Sequence, residues 1–73
     1  MIAADKIKTF ILDMAKERGD SFFTTEEVAR RLDPEQWEQL MEPVNLVAEV
    51  LVMQSILEKR GSNLKLASNQ RAV

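Results

Sequence analysis

Apolar residues recur at i, i+3, i+4 and i+7 in two places along the chain, and each recurrence predicts the buried stripe of an amphipathic helix. The first lies in residues 3–18, on Ile7, Phe10, Ile11 and Met14, with Lys16 and Arg18 where cations suit the helix dipole and Gly19 to stop it. Ser21, Phe22 and Phe23 follow as a short β-prone piece, read as a small first strand. Thr24-Thr25-Glu26-Glu27 then has the Thr-x-x-Glu spacing of a capping box. A second helix over residues 26–32 follows from it, with Val28, Ala29 and Leu32 inward and Arg30 and Arg31 outward.

The second recurrence is Trp37, Leu40, Met41 and Val44, introduced by Asp33-Pro34-Glu35-Gln36, which offers an N-cap aspartate and a proline at the first helical position. Pro43 interrupts this stripe, because a proline inside a helix removes a hydrogen bond and crowds the preceding turn. Either the helix kinks there or a new one starts; the favoured reading is a short helix over 34–41 and a longer one from Pro43 to about Gln54. In the longer helix Val44, Val47, Ala48 and Leu51 face the core, Leu46 and Val50 are largely covered, and positions 42, 45, 49 and 52 stay open. The alternation of Val44, Leu46, Ala48, Val50 and Val52 would also suit a buried strand; length and the missing turn signal favour helix.

Near the end the period changes. Residues 56–59 and 64–67 are two short strand-like runs joined by Arg60-Gly61-Ser62-Asn63, whose Gly and Asn tolerate the positive φ of a hairpin turn. The expectation is a mainly helical α+β domain over residues 1–67, with a short first strand and a C-terminal β-hairpin. A flexible polar tail follows over 68–73.

Composition narrows the chemistry. Seventy-three residues make one domain, able to bury about 60% of the unfolded chain's surface. There is no His and no Cys, which removes thiolate and imidazole metal sites and histidine-based acid–base work. Two glycines, Gly19 and Gly61, cannot build a dinucleotide fingerprint or a phosphate-cradling loop. These absences predict a protein that is not an enzyme and uses no cofactor or metal, and no small-molecule site is evident. No apolar run approaches the roughly 18 residues that span a bilayer, so a cytoplasmic protein without a membrane partner is expected.

The formal charge is −2, and its distribution says more than its sum. Residues 1–32 hold six bases and six acids; Asp33, Glu35, Glu38, Glu42 and Glu49 then stand without a single Lys or Arg up to Gln54. The remainder carries Lys59, Arg60, Lys65 and Arg71 against Glu58.

Helix, short strand, helix, helix, hairpin is an order that resembles the winged helix-turn-helix superfamily. Within it, Glu27-Val28-Ala29-Arg30-Arg31-Leu32, then Trp37-x-x-Leu40-Met41-x-Pro43-Val44, then Ala48-x-x-Leu51 and Ile56 resemble a family of small bacterial proteins of unassigned function, over roughly residues 5–61. The resemblance implies a winged-helix fold and a DNA-binding regulator. It also marks two departures: the family's arginine after the valine is Asn45 here, and its longer basic wing is a short hairpin.

Two functions follow as expectations. In the first, duplex DNA is the partner: Lys59, Arg60, Lys65, Arg30 and Arg31 touch phosphates while Asn45, early on the reading helix, pairs with a base. In the second, Glu42, Asn45, Glu49 and Val52 form a face for a basic or mixed protein partner. The excess of apolar residues from Val44 to Met53 adds the possibility of a homodimer.

Overall fold

The structure, a computed structural model, describes residues 3–67. Helix α1 (Ala4–Arg18) buries Ile7, Ile11, Met14 and Ala15, with Phe10 half-covered beside them. Gly19 ends it at φ +60°, its N–H donating to the Ala15 carbonyl at 3.0 Å, in a conformation that glycine adopts at no steric cost.

Strand β1 is Phe23–Thr24, starting two residues and ending one residue further on than the expected Ser21 to Phe23. The shift follows burial: Phe23 is 1% exposed and Phe22 is 36% exposed, so Phe23 supplies the inward position. The Thr24 hydroxyl accepts from the Glu27 N–H at 3.3 Å, and the Thr24 N–H donates to Glu27 Oε2 at 2.9 Å, completing the expected capping box. Helix α2 (Thr25–Leu32) starts one residue earlier than expected and buries Val28 and Ala29.

The expected pair of helices on either side of Pro43 is one helix, α3 (Trp37–Met53), with Pro43 inside it. The Asp33-Pro34 helix start is not formed either: Asp33 Oδ1 accepts from the N–H groups of Glu35 and Gln36, both at 3.1 Å, and so caps a turn ahead of α3. Continuity across Pro43 has a packing cause. Trp37, Leu40 and Met41 before it and Val44, Ala48 and Leu51 after it pack on the same core, which outweighs one lost backbone hydrogen bond and the ring's crowding.

The hairpin is present, one residue displaced at each strand: β2 is Leu57–Arg60 and β3 is Asn63–Leu66, so Gly61-Ser62 alone makes the turn. Gly61 sits at φ +61° and Ser62 has no positive φ, the requirement of a type II′ hairpin turn. The sheet order is β1-β3-β2, antiparallel throughout, with Phe23 opposite Leu64 and Leu57 opposite Leu66. Helices and sheet enclose one apolar core, and among the described residues no polar side chain is buried. The fold is mainly helical α+β with a winged-helix-like topology. The tail expected at 68–73 lies outside the described residues.

Candidate interaction surface

The sequence-nominated cations are brought near one another's neighbourhoods but not into one free positive strip. On α2, Arg30 Nε lies 3.1 Å from Glu26 Oε2, and its guanidinium sits 4.2 Å over the Trp37 ring centroid. Arg31 Nη1 lies 2.7 Å from Glu17 Oε2 on α1. On the hairpin, Lys65 Nζ is 3.8 Å from its cross-strand neighbour Glu58 and 5.1 Å over the Phe22 ring. Lys59 Nζ is 3.8 Å from Glu49 Oε1 on α3. Among the described residues, Arg60 is the nominated cation without a carboxylate partner. Pairs of this kind at the surface add only about 0–1 kcal/mol of stability, but each sets a carboxylate beside a cation that would otherwise face a phosphate.

Between the start of α2, the flank of α3 and the hairpin tip lies an open groove of about 680 Å³. Its apolar lining includes Met41, Ala48, Val52 and Leu64, and its polar lining includes Asn45, Glu26, Glu49 and Lys59. Asn45 is exposed there, as expected for a base-reading position. Val52, expected to be open, is half-buried and lines the groove together with Asn45 and Glu49. Glu42 and Glu49 are exposed as expected, Glu49 tied to Lys59 and Glu42 without an ion pair among the described residues.

A second surface was misplaced in the sequence reading. Leu46 and Val50, expected to be covered, are 60% and 49% exposed, and Met53 is 83% exposed. They stand at i, i+4 and i+7 on α3 and so share one face. The signal was present as two interleaved rows of the same spacing: Val44, Ala48 and Leu51 are buried, while Leu46, Val50 and Met53 are not. Only one row can face a core from a single helix, and neighbouring elements do not wrap far enough to cover the other. Beside the exposed row runs Glu38, Glu42, Asn45 and Glu49, a polar and acidic ridge at spacings of four, three and four. The outer half of α3 is thus apolar on one row, anionic on the next, and without any base.

The Glu27 carboxyl is displaced from its ordinary titration range. Arg18 donates a side-chain hydrogen bond to Glu27 at 2.9 Å and the Thr24 N–H donates a second, and together they hold the Glu27 carboxyl below its usual value. That group joins α1 to the start of α2 and lies away from the α3 face. Among the described residues no cluster of acids could hold a metal ion, and no helix is long and apolar enough to cross a membrane.

Residues 4–63 match the family described as protein of unknown function (DUF3253). No curated protein and no solved structure matches the chain.

Proposed function

We propose that this chain, which belongs to the DUF3253 family, is a protein-interaction module that keeps a winged-helix scaffold and uses the outer face of α3 as its interface. The observation that carries the reading is the exposed row Leu46, Val50 and Met53 alongside Glu38, Glu42 and Glu49, on a helix without a single base. Contiguous exposed apolar residues on a small domain mark a contact surface, and affinity for duplex DNA requires Lys and Arg to neutralise phosphates. On this reading the protein is a non-catalytic cytoplasmic binding module that needs no cofactor.

A DNA-binding regulator of the winged helix-turn-helix superfamily is the second reading. It is favoured by Arg60, which has no carboxylate partner among the described residues and stands beside the hairpin turn, and by exposed Asn45 in the groove that the hairpin shares with α3. A labelled duplex titrated at low and moderate salt separates the two. The interaction reading expects no salt-dependent binding by the native chain and weaker capture of the protein partner by the Glu42→Lys, Glu49→Lys double variant, whereas the DNA reading expects that variant to bind duplex more strongly. Salt-dependent binding by the native chain that disappears in Arg60→Ala establishes the DNA reading instead. A photo-crosslinking residue at Leu46 in the native cell is expected to yield a protein adduct that the same residue at Lys16, exposed on α1, does not.

A further inference from the structure

Resting on the interaction reading, we infer that α3 receives a basic amphipathic helix, which lays its own apolar row along Leu46, Val50 and Met53 and sets lysines or arginines against Glu38, Glu42 and Glu49.

The apolar row decides the shape of the occupant. From Leu46 to Met53 it spans eight residues, about 10 Å of helix axis, along a line that a second helix matches by seating its ridge of side chains beside it. Met53, the most exposed of the three, has an unbranched thioether chain that adapts to whatever packs on it.

The flanking charge decides the chemistry. Glu38 and Glu42 have no ion-pair partner among the described residues, and no base occurs from residue 33 to residue 54 to neutralise them. A second copy of this chain is the poorer match: a two-fold antiparallel pairing of α3 helices would set the two acidic ridges on the same side. Neither α3 has a base to offer the other. An anionic lipid surface is opposed by the same carboxylates. A partner helix carrying Lys or Arg beside its apolar row satisfies both features at once. The patch is three apolar side chains wide, which suits a weak or transient contact rather than an obligate assembly.

The probe is a designed helical peptide with leucines at i, i+4 and i+7 and flanking lysines, titrated against the full isotope-labelled chain. Two controls have the lysines replaced by glutamates, or the same composition interrupted by a central proline. The expected result is binding of the lysine peptide alone, with amide shifts concentrated on residues 38–53 of the chain. Val50→Asp, at a half-exposed position, should weaken it roughly tenfold or more. Glu38→Gln with Glu42→Gln should weaken it roughly fivefold at low salt and remove most of its salt dependence.

Equal binding of the glutamate peptide overturns the charge assignment, and equal binding of the proline peptide overturns the helical one; both leave the interaction reading standing. Concentration-dependent self-association abolished by Val50→Asp makes a second copy the occupant and overturns the inference alone. Absence of any peptide binding also overturns it, and the interaction reading falls with it if the Leu46 crosslinker is silent. Duplex DNA shifting the same amides overturns both.

Discussion

At Glu27 the carboxylate accepts from the Thr24 N–H and from Arg18, while the residue's backbone N–H donates to the Thr24 hydroxyl. Its folded-state pKa lies below the unfolded value near 4.5. A carboxyl depressed on folding contributes stability that is fully present above the unfolded pKa and is lost as pH falls through the folded one. The native domain is therefore expected to lose urea resistance below about pH 4.5. Glu27→Gln, which preserves the reach of the cap while removing the charge, should flatten that acid limb. The Glu27 side chain is 40% exposed, so solvent screens the pair and the change at neutral pH should be small. Thr24→Ala is the complementary substitution: it deletes the hydroxyl cap and should lower stability by about 1 kcal/mol, with Thr24→Ser near neutral. Urea midpoints at pH 7 measure both. The cap was legible in the sequence because its two members are three residues apart. Arg18, nine residues before Glu27, was not, because only the packing of α1 on α2 brings it there.

At the scale of elements, the end of α3 carries a device that composition conceals. The Ile56 N–H donates to the Leu51 carbonyl at 2.9 Å and the Ser55 N–H to the Val52 carbonyl at 3.0 Å, with Ser55 at φ +62°. This is a Schellman ending with serine where glycine is usual, and Leu51 and Ile56 supply the apolar contact that accompanies it. Ser55→Gly relieves the left-handed strain while adding unfolded-state entropy, so a net gain of about 0.5–1 kcal/mol is expected by chemical denaturation. No glycine marked the stop, so the sequence ended the helix by its stripe rather than by its cap. Pro43 misled in the other direction. Local propensity argued for a break, and the core on both sides of it kept one helix. Pro43→Ala restores a backbone donor and is expected to stabilise by about 1–2 kcal/mol. A loss of stability instead would show that the half-buried ring packs better than it obstructs.

Over the whole molecule, α3 has to serve as a wall of the core and as an outer surface, and its two apolar rows separate the roles. Periodicity placed Val44, Ala48 and Leu51 inward, as they are, but how far the sheet and α1 reach round the helix to cover Leu46 and Val50 depends on how the hairpin folds back, and no local pattern encodes that. Val50 and Leu51 are adjacent in the chain and opposite in environment, 49% and 1% exposed. Leu51→Ala opens a cavity and should remove about 3 kcal/mol, a large part of the roughly 4–11 kcal/mol available to a domain of this size. The melting temperature should fall by roughly 12–24 °C. Val50→Asp exchanges one solvent-facing side chain for another on a helix already rich in acids, so its melting temperature should stay within about 4 °C of the native one. Thermal unfolding of the two variants, compared with their binding of the lysine peptide, divides fold from function on one helix. Leu51→Ala should lose stability and keep its affinity below its own melting transition, whereas Val50→Asp should keep stability and lose affinity. If Val50→Asp unfolds as readily as Leu51→Ala, the exposed row is structural and the interface assigned to it is wrong.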